Sequence, residues 1–141
     1  MVIHIINGPN LNLVGLREPE VYGNRSLDQY LQELIERYTQ HTIDVYKSHI
    51  EGEIVDRLQQ VGFDDCGIIL NAGGYTHTSV AIADAVAAIT APVVEVHISN
   101  IYAREPFRHK SLLSPVCKGI IAGFGLDSYR LALLSLATKQ P

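Results

Sequence analysis

The chain of 141 residues has no run of lysine and arginine and no basic stripe interleaved with aromatics, and its formal net charge is −4. That argues against a nucleic-acid surface and leaves room for a small polar or anionic partner. Cysteine is scarce. Cys66 and Cys117 both lie inside apolar runs, with no Cys-x-x-Cys and no metal-ligand spacing, so two reduced core thiols in a reducing compartment are expected. No apolar run approaches the ~18 residues of a membrane span, and the opening "MVIHII" is a strand pattern without a basic leader region. These absences lead to the expectation of a soluble, cytoplasmic protein. Repeats, linkers and low-complexity segments are missing too, and nearly half of the residues are apolar, so a single domain over residues 1–141 is expected.

What the chain does have is a strict alternation of apolar runs and helical periods. "VIHII" (2–6) is rich in β-branched residues, and Leu27, Tyr30, Leu31, Leu34, Ile35 and Tyr38 then recur at helical spacing behind Ser26, a plausible N-cap. "TIDVYK" (42–47) reads as a second strand, followed by a helix through Ile54, Val55, Leu58 and Val61 that ends at Gly62. "CGIIL" (66–70) is a third strand, a helix runs from about Thr78 to Ile89, and "APVVEVHIS" supplies the fourth strand. "VCKGIIAG" (116–123) is the fifth, and "SYRLALLSLA" (128–137) closes the chain as a helix. This pattern predicts an α/β fold: a flavodoxin-like, doubly wound five-stranded parallel sheet of order 2-1-3-4-5, with helices on both faces. Ligands bind such sheets at the carboxyl ends of the strands, near the reversal between strands one and three. The segments leaving strands one, three and four are "NGPNLNLVGLREPEVYG", "NAGGYTHTS" and "HISNIYAREPFRHK", and they would meet there.

Strand four brings chemistry to that place. Side chains alternate along a strand, so Glu95, His97 and Ser99 share one face. Glu95 could fix the tautomer of His97, which would then serve as a general acid or base; an edge strand with one wet face would show the same pattern. Asn71 ends strand three, the glycines after it permit a tight turn, and Thr76, Thr78 or Ser79 can cap the next helix, which leaves His77 unexplained. That helix is apolar or alanine nearly all round, with Asp84 its only charge, so one side can face the sheet and the other a second subunit. His77 and Asp84 lie roughly 10 Å apart along a helix. Asp84 would then reach a neighbour's site, or form a salt bridge at the interface.

The loop from Asn7 to Gly23 is long for a connection without helical or strand period, which points to binding or closure. A lone phenol with a pKa of about 10 is a poor base near neutrality, but a nearby guanidinium favours phenolate. Arg17 and Tyr22 could therefore be activator and base on a movable lid at about residues 11–25; a surface loop with a chance Arg and Tyr has the same spacing.

The motifs "NGPNLNLVGLREPEVYG", "EGEIVDRL", "NAGGYTHTS", "EVHISN" and "REPFRHKSLLSP" resemble, in order, those of type II 3-dehydroquinate dehydratase. The resemblance implies conversion of 3-dehydroquinate to 3-dehydroshikimate without metal or organic cofactor, in a homo-oligomer of trimers, typically a dodecamer. It implies Tyr22 as the base kept ionised by Arg17, Asn10 as a holder of a water that stabilises an enolate, and His97, oriented by Glu95, as the general acid. Asn71 lies beside it; Ser99 and backbone N–H groups at Ile98 and Ser99 match a carboxylate site; Arg108 and His77 would hold ring hydroxyls, with Asp84 supplied across the trimer. Arg104 matches a position near the lid. Two departures stand out: "NAGG" (71–74) where many relatives have Asn-Pro-Gly-Ala, and His49 where relatives usually have Asn beside the lid.

The same fold hosts unrelated functions. An FMN binder would want hydroxyls after strand one, and "NGPNLNL" has none; a phosphoacceptor receiver would need acidic residues where Asn7, Asn10 and Asn71 stand. Lys47, Lys110, Lys118 and Lys139 are not placed for Schiff-base chemistry. A non-catalytic binding protein would have no reason to keep every residue assigned to catalysis.

Overall fold

The computed structural model describes residues 1–14 and 25–138. Arg17 and Tyr22, with most of the lid expected at 11–25, lie outside the described residues. The elements are β1 (Val2–Asn7), α1 (Leu27–Arg37), β2 (Thr42–Lys47), α2 (Glu51–Val61), β3 (Gly67–Asn71), α3 (Val80–Ala88), β4 (Val93–His97), β5 (Gly119–Ala122) and α4 (Asp127–Ala137). The five strands form one parallel sheet in the order β2-β1-β3-β4-β5, the doubly wound arrangement that the alternation predicts.

Every residue of β3 and β4 is buried, as central strands of a parallel sheet must be when helices cover both faces. α1 and α4 pack on one face, where Leu31, Tyr129 and Leu133 meet Ile5, Ile69 and Val96. α2 and α3 pack on the other, where Leu58 and Ile82 meet Ile6, Ile68 and Leu70. Truncating one such side chain to alanine costs about 2–5 kcal/mol, so these two layers hold the strand ends in place. α1 starts at a capping box in which the Ser26 hydroxyl accepts from the Gln29 N–H and the Gln29 side chain accepts from the Ser26 N–H.

The reversal between β1 and β3 is tight. Gly8 donates its N–H to the Asn71 carbonyl at 2.7 Å, and a Cβ on Gly8 would lie 2.5 Å from the Ala72 carbonyl oxygen, so only glycine lets the two exits approach. Gly73 has φ +59, the left-handed conformation that starts the turn after β3.

Three boundaries differ from the sequence expectation. β4 stops at His97, so Ser99 lies in the turn beyond it and not in strand register with Glu95. β5 begins at Gly119, because Val116 and Cys117 leave a short 3-10 turn and pack against the second core instead of pairing. The helix expected from Thr78 begins at Val80, capped by the Ser79 hydroxyl on the Ile82 N–H, and residues 73–77 form a separate 3-10 turn that carries His77. No helix among the described residues is long and apolar enough to cross a membrane.

Candidate active site

The carboxyl ends of β1, β3 and β4 open into a cleft of about 170 Å³. Asn10, Asn71, His77, His97, Ile98, Ser99, Arg104 and Arg108 all line it, so residues from three separate segments converge as the topology requires. Asp84 does not line the cleft and is exposed on α3, whose outer surface otherwise shows Val80, Ala81, Ala87 and Ala88.

Glu95 has no exposed surface, and β4 is interior to the sheet, which removes the wet-edge reading of this strand. A buried carboxylate is tolerated only when its lone pairs are satisfied. Here Glu95 Oε2 accepts from His97 Nε2 at 2.5 Å, while Oε1 accepts from the Ser114 hydroxyl at 2.6 Å and the Ser111 hydroxyl at 3.1 Å. Burial pushes the Glu95 carboxyl up, but the hydrogen bonds from His97, Ser114 and Ser111 outweigh it and hold the group below the usual glutamate value. An ionised Glu95 can only accept, so His97 Nε2 carries a proton and Nδ1 is the nitrogen left for a ligand. The neighbouring Cys117 thiol feels burial first and the Glu95 charge second, and is pushed up to about 12, which keeps it a thiol.

His77 stacks on His97 with ring centroids 6.3 Å apart and planes 19° from parallel. Its Nδ1 lies 2.8 Å from the Lys110 carbonyl, an acceptor only, so Nδ1–H donates and Nε2 remains free for the cleft. The identity of residue 110 is immaterial to this bond, since its main chain makes it. The segment from Lys110 to Ser114 thus ties down both imidazoles: Lys110 holds His77, and Ser111 and Ser114 hold Glu95, which holds His97.

The cleft also carries cations. Arg108 donates to Glu105 at 3.1 Å and lies over the Phe107 ring, with 23% of its side chain exposed; Arg104 reaches the Ser99 hydroxyl at 3.4 Å. Asn10 holds a left-handed backbone with φ 69, and its N–H donates to His49 Nδ1 at 3.1 Å. His49 therefore supplies an acceptor at the first turn after β1. Its relation to Arg17 falls outside the described residues. Among the described residues no three His, Cys, Asp or Glu side chains are grouped to hold a metal ion.

Sequence reasoning missed Ser111, Ser114 and Tyr129. The serines sit in "KSLLSP" with no periodicity to mark them, and Tyr129 reads as a core residue of α4, although its hydroxyl meets Asn71.

This combination, a doubly wound sheet with a carboxylate-supported histidine at the strand ends, is an α/β site whose chemistry suits proton transfer. The profile of the family described as Dehydroquinase class II matches residues 1–137. The chain is 56% identical to the 3-dehydroquinate dehydratase of an Exiguobacterium species, over 96% of this chain and 94% of that one. It is 50% identical to the enzyme of the same name from Azorhizobium caulinodans, over 99% and 95%. The crystal structure of the type II dehydroquinase from Butyrivibrio crossotus superposes with a TM-score of 0.92 at 42% identity, covering 98% of both chains. The chain belongs to the class II dehydroquinase family, and as a member it is an enzyme, a hydro-lyase.

Proposed function

We propose that residues 1–141 form one catalytic domain that removes water from 3-dehydroquinate by reversible anti elimination, giving 3-dehydroshikimate through an enolate. The observation that carries this reading is the buried Glu95–His97 pair, in which His97 lines the cleft and Nε2 is the nitrogen committed to Glu95. The Tyr22 phenolate, kept ionised by Arg17 on a lid at about residues 11–25, takes the proton from C2 beside the ketone. The electron pair moves onto the ketone oxygen, where a water held with Asn10 stabilises the new charge. The enolate then collapses: the C1–O bond breaks, His97 Nδ1 gives its proton to the departing hydroxyl, and the C1–C2 double bond conjugates with the re-formed ketone. His97 enters this step as imidazolium against the Glu95 carboxylate and leaves it neutral, with the Nε2 proton undisturbed. Proton transfers alone balance the reaction, so no cofactor is invoked.

Ser99 and the backbone N–H groups at Ile98 and Ser99 hold the substrate carboxylate. Arg108 and His77 hold its ring hydroxyls, Asn71 binds it beside His97, and Asp84 enters from a neighbouring copy in a trimer-based assembly, typically a dodecamer. The apolar outer surface of α3 around Asp84 supports a second copy there. The protein works in the cytoplasm, and its reaction serves either the building of aromatic precursors or the breakdown of quinate.

The test is turnover of 3-dehydroquinate by chelator-treated protein, followed through the conjugated enone of the product, with Tyr22→Phe beside it. The expected result is turnover in the wild type and its loss in the variant, with binding of a substrate analogue retained, because only a proton-transfer group is removed. Absence of turnover in folded, assembled wild type overturns the substrate assignment, and near-wild-type turnover in the variant removes Tyr22 from the mechanism.

A further inference from the structure

Behind the cleft, three buried side chains form a connected set of hydrogen bonds. Asn7 and Asn71 are register partners at the carboxyl ends of β1 and β3, and Tyr129 of α4, with no exposed surface, lies between them. The polarity of the set follows from one unambiguous donor. The Gly73 backbone N–H donates to Asn71 Oδ1 at 3.2 Å, so the Asn71 amide nitrogen faces Tyr129. Asn71 Nδ2 donates to the phenol oxygen at 2.9 Å, and the phenol proton goes to Asn7 Oδ1 at 2.7 Å. Burial pushes the Tyr129 phenol well above its ordinary value, so it stays neutral and keeps that proton.

One Asn71 N–H is left over, and Asn71 lines the cleft. We infer that Tyr129 is a positioning residue for substrate selection: from behind the sheet it locks the Asn71 carboxamide so that this residue meets the ligand as a hydrogen-bond donor only. Beside it, His77 has its Nδ1–H committed to the Lys110 carbonyl and offers Nε2 as an acceptor in its neutral form. A fixed donor next to a fixed acceptor matches a hydroxyl, which accepts and donates at once, and disfavours a ketone or ether oxygen, which cannot satisfy His77. Without Tyr129 the carboxamide keeps the Gly73 tie but loses its second anchor, and a buried donor and acceptor are left unpaired. The substrate part of this inference rests on the reading of the cleft as the 3-dehydroquinate site; the amide orientation does not.

The experiment compares wild type, Tyr129→Phe and Leu136→Ala. Leu136 belongs to the same helix and core but packs by Gly67 at the other end of the sheet. Tyr129→Phe is expected to raise KM for 3-dehydroquinate about tenfold, equivalent to about 1.4 kcal/mol, with a much smaller change in kcat. Leu136→Ala is expected to lower Tm without moving KM. A Tyr129→Phe enzyme with lowered Tm and wild-type KM would reduce Tyr129 to a structural residue and overturn the inference. Hydrogen exchange of the Asn71 side-chain amide in the wild type gives a reading that survives if the variant fails to fold. One proton protected and one exchanging freely is the expected result; two that exchange like a surface amide contradict it. If wild type does not turn over 3-dehydroquinate yet the Asn71 proton is protected, the substrate reading fails and the amide lock stands.

Discussion

Glu95 and His97 are 0% and 5% exposed, whereas Arg104 and Arg108, which also line the cleft, keep 32% and 23% of their side chains open to solvent. The histidine side and the arginine side, as groups of residues, therefore begin from different states. On the histidine side each polar atom of the Glu95 carboxylate has its donor before any ligand arrives, and the ordering cost was met on folding. On the arginine side the guanidinium of Arg108 rests on Glu105 in an exposed pair, an interaction of small worth that a bound anion or hydroxyl can replace. The difference teaches where rate and where affinity should reside: preorganised proton transfer on the buried side, ligand capture on the open one.

The largest expected effect breaks the buried side. Glu95→Ala leaves the buried His97 N–H and the partly buried Ser111 and Ser114 hydroxyls without their acceptor, so stability should fall by about 3–5 kcal/mol in urea unfolding. The open side should respond otherwise. Arg108→Ala should raise KM about ten- to a hundredfold, the worth of about 1.5–3 kcal/mol for a hydrogen bond to a charged group, while Tm stays near that of the wild type.

The smallest effect sharpens the comparison through pH. Glu95 has a folded pKa below the unfolded value of about 4.3, so its stabilisation is fully present above that value and is lost as pH falls through the folded pKa. Ser114→Ala removes one of the donors that lower the folded value. Acid unfolding should then begin at a higher pH than in the wild type, with a loss of only about 1 kcal/mol near neutrality. Unfolding midpoints measured between about pH 3 and 7 check both parts, and an unshifted acid transition would show that Ser114 does not hold the Glu95 charge.

Local pattern explains what the sequence revealed of this site. The β-branched runs and helical spacings gave the alternation from which the sheet order follows, because burial on both faces leaves β3 with a continuous apolar run and β4 with Val93, Val94 and Val96 around Glu95. Period-two alternation put Glu95 beside His97, and a hydrogen bond now joins them. Strand ends were harder. Val116 and Cys117 are apolar because a 3-10 turn packs them on the core, and apolarity alone does not separate that from pairing. The supporting shell was beyond local pattern altogether: Tyr129 meets Asn7 across 122 positions, Ser114 meets Glu95 across 19, and His49 meets Asn10 across 39. Such contacts exist only once the topology has brought the strand ends together.

The most direct test of the division between the two sides is kcat for 3-dehydroquinate in Glu95→Gln, measured with the affinity for a substrate analogue. Glutamine keeps the volume and can still accept from His97, but it lacks the charge that faces the imidazolium. The account predicts a fall in kcat of about 10²- to 10⁴-fold with analogue affinity little changed. A variant that binds poorly but turns over at the wild-type rate would contradict it, placing the work of Glu95 in ligand capture and not in proton transfer.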